Sequence, residues 1–433
     1  ARRLLAGRGQ YPTDVNLPRM VHVAFARSPY AHARIVSIDT EAARKAPGVV
    51  GVFTGDDIAK VCKPWVGTLD HFAGMKSAPQ YPLARDVARW QGEPVVAVVA
   101  QTRAQAEDAL ELLQIDYEEL PAVTDPETAL DPDTPLIHPE LSDNLVFGSK
   151  VEAGDIERAF AEADLVVEDE FHFGRHTGVT LEPRTVVADY DPSEERLTAY
   201  HGTQTPYQMQ DVYARHLGLA EENVRVVAKD IGGAFGIKLH VHGEEMATCA
   251  LSILLKRPVK WSADRLESFV SDIHARDHRV RARLALTRDG RILGFDVDDL
   301  TGVGPYSVYP RTSAVEGNQV IRLIGSPYTQ EHYRAVLKVV LQNKNVMSQY
   351  RAVGHPIAFA VTESLVDKAA AELGMDPTEL RARNYVPDDA YPYKTASGYT
   401  FEGLSLQRSL EVLREMIDYQ ALREEQARLR ERG

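Results

Sequence analysis

The chain has 433 residues, 44% hydrophobic and 26% charged, a usage that excludes disorder as the default and leaves room for about two or three domains. Its 63 acidic residues against 49 basic ones give a formal charge of −14, which argues against a nucleic-acid-binding surface. Two cysteines, Cys62 and Cys249, cannot by themselves build an iron–sulfur cluster or a structural zinc site, and no stretch approaches the roughly 20 apolar residues of a membrane span.

Residues 20–26 alternate as a half-buried strand, and 33–38 follow as a second after the turn at Arg27-Ser28-Pro29-Tyr30. Asp39 and Thr40 offer N-caps to a short helix ending near Pro47-Gly48, and 49–53 returns as a strand. Residues 94–100, PVVAVVA, suit a strand buried on both faces; a helix over 105–113 and a strand over 115–117 complete an α/β domain spanning 1–125. Pro, Asp, Thr and Ser then crowd residues 121–144, so 126–150 is expected to be a linker crossing the surface.

A larger α/β unit is expected over 151–400. It opens with a helical piece at 159–163 and strands at 165–173, 185–190 and 197–201. Thr205, Pro206 and Gln208 match a capping box at the next helix, with Gln204 just outside it at a strand end. Val224, Val226 and Val227 belong to a further strand that Asp230 breaks. Gly232-Gly233-Ala234-Phe235-Gly236 then brings nearly bare backbone to the surface, where successive N–H groups can converge on an anionic or oxo group. A tight connection without a ligand accounts for this loop equally well.

Beyond it, 244–255 predicts a helix with Ala247, Ala250, Leu251, Leu254 and Leu255 inward, and Cys249 as a small core residue. A strand at 258–261, a hairpin over 278–300 turning at Asp289-Gly290, and a strand at 336–341 follow. Residues 347–356 form a second small-residue loop carrying Arg351. A helix over 363–373 ends at Gly374, and Asp376-Pro377-Thr378-Glu379 caps the next. In the C-terminal helical segment, 401–433, Leu406, Leu410, Leu413 and Ile417 mark an amphipathic helix running into a charged tail. Taken singly, Gln204 suits a solvated turn and Arg351 an ordinary salt bridge.

Taken together and in order, Tyr11-Pro12-Thr13-Asp14, residues 27–35, residues 94–123, Gln204, the 232–236 loop and Tyr350-Arg351-Ala352 resemble the molybdenum-binding subunit of the xanthine oxidase family of molybdenum hydroxylases. The resemblance implies an α/β (α+β) fold, an N-terminal hammerhead domain followed by a molybdopterin-binding domain. It implies a molybdenum–molybdopterin cofactor, with the cytosine dinucleotide form admitted, contacted by Gln204, Gly233, Ala234, Phe235, Gly236, Arg351 and Ala352. Of these, Gln204, Phe235 and Arg351 match the positions nearest the metal. The residue types fit such contacts, since an amide side chain donates to an oxo or water ligand, backbone amides hold oxyanions, and a guanidinium balances charge. Glu182, in Leu181-Glu182-Pro183-Arg184, is expected to be structural or part of the pocket wall.

Departures from the family pattern narrow the substrate. Ala352 stands where the carbon monoxide dehydrogenase branch carries its metal-binding cysteine, Leu239 where purine-oxidising members carry a glutamate, and Val353 where they carry a stacking phenylalanine. Leu239 and Val353 thus mark a substrate pocket suited to an N-heteroaromatic or an aldehyde rather than to carbon monoxide or xanthine. The family's glutamate base belongs to a second molybdopterin-binding domain expected after Gly433, so the chain reads as the first half of a split large subunit, or as a cut sequence, and no catalytic base can be named within it. The implied partners are a second molybdopterin-binding subunit, a 2Fe-2S subunit and an FAD subunit in a hetero-oligomer. A cytoplasmic location is expected, with the periplasm left open because the chain begins at Ala1 rather than Met. Reduction of an aromatic thioester by the same cofactor, and a non-catalytic scaffold of the same fold, stay open as alternatives. A dinucleotide-binding dehydrogenase is opposed by the lack of GxGxxG followed by a ribose-binding acid.

Overall fold

The computed structural model of the chain describes residues 2–433. Its largest sheet has seven strands, in the order Val224–Val227, Arg196–His201, Thr185–Asp191, Val259–Ser262, Val21–Arg27, Pro94–Ala100 and Val49–Thr54. Early and late strands meet through a parallel pairing with Val21 opposite Val259, so this sheet runs unbroken from the N-terminal segment into the larger unit. Pro94–Ala100 has a neighbour on each side and is buried at every position, as its unbroken apolar run requires. Helix Gly243–Leu255 packs on the sheet through Met246, Ala247, Ala250 and Leu251. The buried stripe is wider than its apolar spacing predicts: Glu244, Glu245, Thr248, Cys249 and Ser252 are buried as well, whereas Leu254 and Leu255 are only half-buried.

A five-stranded sheet, ordered Leu145–Ala153, His332–Val340, Ile292–Gly302, His278–Leu286 and Leu165–Phe173, carries the second core. The hairpin turns at Asp289-Gly290 as expected, with Gly290 at φ +85° where a side chain would be strained. Helices Val315–Leu323 and His355–Leu373 cover this sheet, setting Val320, Ile357, Val361 and Leu365 against Val280, Leu284, Phe295 and Leu337. The second helix starts at His355 rather than at 363, because Pro356 occupies its first turn, where a missing N–H leaves no bond unmade. A small three-stranded sheet of Val87–Ala88, Ala33–Asp39 and Gln114–Glu119 completes the N-terminal segment.

The Pro- and Asp-rich connector does more than cross the surface. Ala129 and Ile137 join the core of the five-stranded sheet, and buried Asn144 ties the connector to itself by accepting from the Ile137 N–H at 3.1 Å and donating to the Ala129 and Pro135 carbonyls. At the other end, the expected amphipathic helix and charged tail are two helices, Leu406–Met416 and Tyr419–Arg432, broken at Asp418. Neither helix buries a residue, and Leu413, Met416 and Ile417 stay exposed.

Within the hairpin, at the start of its first strand, His278 is fully buried with Nδ1 2.8 Å from Asp299 Oδ1. Burial alone would lower its pKa, but the Asp299 carboxylate, reinforced by Glu316, raises it from 6.5 to about 10. A group whose folded pKa is raised contributes fully below its unfolded value and loses that contribution as pH climbs through the folded one. Stability should therefore fall by on the order of a few kcal/mol between pH 6.5 and 10. Glu93, raised by burial from 4.5 to about 8, acts in the same direction at lower pH. Urea midpoints measured across this range should show the decline in the native chain and a flatter profile in His278→Gln.

Candidate functional site

The strand Arg196–His201 delivers the chain to Gln204, and helix Pro206–Leu217 leaves from it. The expected capping box between Thr205 and Gln208 does not form. Thr205 makes no side-chain cap bond, and Gln208 instead donates through Nε2 to Leu239 O at 2.8 Å and to Thr205 Oγ1 at 3.2 Å. Both side chains are thus diverted to the segment after the Gly-rich loop, since Thr205 Oγ1 also lies 3.4 Å from Leu239 O. The helix start and that segment become one unit.

Gln204 closes the contact from above. Its N–H donates to Lys238 O at 2.9 Å, and its Oε1 accepts the Gly236 N–H at 3.0 Å. Its side-chain Nε2 has no partner among the described residues and remains a free donor. The Gly-rich loop itself reverses through Gly233 at φ +102°, Phe235 at +53° and Gly236 at +105°. Only glycine adopts the first and last of these without strain. At Gly236 space is decisive too, because a Cβ there would lie 2.5 Å from Gln349 O of the second loop.

The floor of the loop is a buried carboxylate. Glu182 Oε2 accepts the Gly232 N–H at 2.7 Å and the Lys238 ammonium at 2.9 Å, while the Glu182 N–H returns to Gly232 O at 3.1 Å. Lys238 is wholly buried, and burial lowers its pKa against the pull of Glu182. The other carboxylate oxygen, Oε1, is buried without a hydrogen-bond partner among the described residues. Glu182 therefore has the structural role expected of it, while its partner Lys238 carries no signal in the sequence, where a lysine after a glycine loop reads as solvated.

The second loop lies alongside the first. Arg351 N–H donates to Phe235 O at 2.8 Å, and Tyr350 packs near Phe235, with ring centroids 6.4 Å apart, and edge-on to His176 at 4.9 Å. Ala352 and Val353 follow at φ +69° and +50°. Gly233, Ala234, Phe235, Gly236, Arg351 and Ala352 thus come together across two loops joined by one backbone hydrogen bond, with Gln204 tied to the first through its side chain. Leu239 and Val353 are both half-buried, Leu239 at the end of the short turn Ile237–Leu239 and Val353 in the second loop.

What the two loops leave unpaired defines their chemistry. Among the described residues, the N–H groups of Gly233, Ala234 and Phe235 have no acceptor, and the exposed Arg351 guanidinium makes no hydrogen bond or ion pair. The salt bridge that Arg351 would form as an ordinary surface residue is not made. Three adjacent amide donors, a free side-chain amide and a free cation fit an anionic, oxo-bearing group. The one carboxylate in the cradle, Glu182, has its Oε2 already committed to Gly232 and Lys238. No group of His, Cys, Asp and Glu side chains among the described residues could hold a metal ion directly.

A buried ionic layer supports the site from below, and nothing in the sequence pattern announces it. Arg184, fully buried, donates to Asp272 at 2.6 Å and to Ser271 at 2.9 Å, and faces Glu244 at 3.3 Å and Glu245 at 3.5 Å. Glu244 also pairs with Arg27 at 2.7 Å. His242 Nε2 stands 3.0 Å from Ile237 O, which links this layer to the turn after the Gly-rich loop. In the sequence, Glu244-Glu245 at a helix start reads as favourable first-turn charge on the surface; only the apolar run directly after it hints at burial.

Residues 137–385 match the family described as molybdopterin cofactor-binding domain, and residues 6–121 match aldehyde oxidase and xanthine dehydrogenase, a/b hammerhead domain. The chain is 36% identical to the nicotine 6-hydroxylase large subunit of Paenarthrobacter nicotinovorans, over 100% of this chain and 52% of that one. Against the nicotinate dehydrogenase large molybdopterin subunit of Eubacterium barkeri it is 32% identical, over 94% of this chain and 92% of that one. The crystal structure of quinoline 2-oxidoreductase from Pseudomonas putida 86 aligns with a TM-score of 0.96 at 37% identity, over 100% of this chain and 55% of that one. The chain therefore spans about half the length of the nicotine and quinoline proteins and nearly all of the nicotinate subunit. On the cofactor-domain match and the near full-length likeness to the nicotinate subunit, the chain belongs to the xanthine oxidase family of molybdenum hydroxylases as a molybdopterin-binding subunit.

Proposed function

We propose that the chain holds the molybdenum cofactor of a hydroxylase that oxidises an N-heteroaromatic ring carbon with oxygen drawn from water. The observation that carries this reading is the row of unpaired N–H donors at Gly233, Ala234 and Phe235 beside the unpaired Arg351. Gln204, Gly233, Ala234, Phe235, Gly236, Arg351 and Ala352 would hold the cofactor, with Gln204, Phe235 and Arg351 nearest the metal. When bound, the group supplies a site that takes up a substrate's electron pair and delivers a water-derived oxygen.

Everything else falls to this chain's own residues or to its partners. The three amides and Arg351 would balance the negative charge of the group, and the free Nε2 of Gln204 would offer it one further hydrogen-bond donor. Leu239 and Val353 would themselves offer a substrate neither a carboxylate nor an aromatic face, which disfavours purines. Ala352 offers no thiolate for a second metal, which disfavours carbon monoxide. The base is assigned to a second molybdopterin-binding subunit, and electrons leave through 2Fe-2S and FAD subunits of a hetero-oligomer. Nicotine, quinoline and nicotinate, the compounds named for three relatives, are all N-heteroaromatics. An aldehyde is the second substrate class, favoured by the likeness to the aldehyde oxidoreductase from Desulfovibrio gigas, at a TM-score of 0.88 and 27% identity.

Turnover of quinoline, nicotinate and benzaldehyde by the full-length complex in water enriched in oxygen-18 tests this. Label in a hydroxylated heteroaromatic is expected. Label only in a carboxylic acid from the aldehyde would shift the substrate class, and activity confined to reducing aromatic thioesters would reject the hydroxylase reading.

A further inference from the structure

The loop carrying Arg351 is held in a conformation its own residues disfavour. Ala352 and Val353 are consecutive non-glycine residues at φ +69° and +50°. Each is a strained placement for a residue with a Cβ, and the β-branched valine is the worse placed. Bonds within the loop are few: Val353 N–H to Tyr350 O at 2.7 Å, and the His355 N–H and Nδ1 to Ala352 O at 3.0 and 2.8 Å; beyond it, Arg351 N–H reaches Phe235 O at 2.8 Å and Gly354 N–H reaches Gln319 Oε1 at 3.1 Å. Something outside the loop must over-determine it.

Both flanking carbonyls lead to the same side chain. Arg276 donates through Nη2 to Arg351 O at 2.7 Å and through Nη1 to Val353 O. Its guanidinium also lies 5.7 Å from the Tyr350 ring centroid. Arg276 is buried and in turn gripped by Glu316, which pairs with Nη1 and accepts the Arg276 N–H at 3.3 Å. Glu316 is wholly buried in the first turn of helix Val315–Leu323, and its Oε2 faces His278 Nε2 at 3.9 Å. His278 is anchored by Asp299. A chain of buried charges thus runs from the five-stranded sheet to the loop, and the planar, five-donor fork of an arginine spreads its bonds over a carboxylate and two carbonyls in a fixed geometry that a lysine's point charge does not reproduce.

We propose that Arg276 is a positioning residue that fixes the left-handed turn at Ala352-Val353, and through it the seat of Arg351 against Phe235 and of Val353 in the substrate pocket. The role of the loop in substrate binding rests on the function proposed above; the gripping of the loop does not. Hydrogen–deuterium exchange of a peptide covering 349–356, in full-length protein with its partner subunits, reads the grip directly, in both cofactor-loaded and cofactor-free preparations. In Arg276→Lys, exchange of this peptide should rise about tenfold or more in both preparations, while the strand His278–Leu286 keeps its protection. KM for the substrate should rise about tenfold, with kcat falling by less. Glu316→Gln, which keeps the size of Glu316 but removes its charge, should give the same pattern more weakly, and decides the matter if Arg276→Lys does not fold. Unchanged exchange at 349–356 in a folded variant overturns the proposal, as does a fall in kcat at constant KM. A complex lacking molybdenum would reject the proposed function and leave the exchange result standing; a loaded complex with unmoved exchange would reject the positioning role alone.

Discussion

Arg184→Leu is expected to leave little or no folded chain. The guanidinium is wholly inaccessible and faces three buried carboxylates, Asp272, Glu244 and Glu245, with its charge also stacked 4.9 Å from the Trp261 ring. Burial alone would raise the carboxyls of Glu244 and Glu245. Arg184 and Arg27 override this at Glu244, and His201, His242 and Arg184 at Glu245, holding both at about 2. With the cation gone, Arg27 still serves Glu244 but no side chain among the described residues pairs with Asp272. Removing one partner of a buried pair costs about 3–5 kcal/mol, and here Asp272 loses its cation while Glu244 and Glu245 each lose one of theirs, against a total stability of about 5–15 kcal/mol. Urea unfolding and soluble yield measure it. Adding Asp272→Asn should recover part of the loss, and a midpoint unchanged from the native chain would show that the layer carries no net stability.

Gly236→Ala strikes the site rather than the core. At φ +105°, with a Cβ placed 2.5 Å from Gln349 O, even a methyl group must push the two loops apart. The bonds from Gly236 N–H to Gln204 and from Arg351 N–H to Phe235 are the first to give way. The expected result is a chain that folds, with stability lowered by about 1–3 kcal/mol, but whose complex retains tenfold less molybdenum or lower still. Metal analysis of native and variant complexes purified side by side checks it. Native metal content in the variant would mean that the apposition of the loops is not what holds the cofactor.

The elements with the strongest local signals are legible in the sequence. The buried strand Pro94–Ala100, the strand Leu165–Phe173 and the hairpin at Asp289-Gly290 each combine one period with one punctuation mark, and local chemistry decides them. The Thr205–Gln208 capping box fails because a tertiary acceptor, Leu239 O, outcompetes the local one. Helix His355–Leu373 begins earlier than its sequence suggests because Gly354 and Pro356 read as loop, although a proline in a first turn is at home. At the site, Gln204, the 232–236 loop and Arg351 can be singled out because glycines and lone polar residues stand out against strands. The residues that hold those loops in place cannot. Glu182 apart, Lys238, Arg276 and Glu316 are charged residues far apart in sequence, and only the fold shows Lys238 set against Glu182 and Arg276 against Glu316. A buried charge carries no periodic signature of its own, and its partner sets its meaning.

If the loops at 232–236 and 350–354 form one wall of a molybdenum cofactor site, the metal must lie against them. Anomalous diffraction at the molybdenum absorption edge, from crystals of the full-length complex, locates it. A single strong peak is expected beside Phe235, within reach of the Gln204 amide and the Arg351 guanidinium. A complex without molybdenum, or a peak remote from Phe235 and Arg351, would contradict the assignment of this wall.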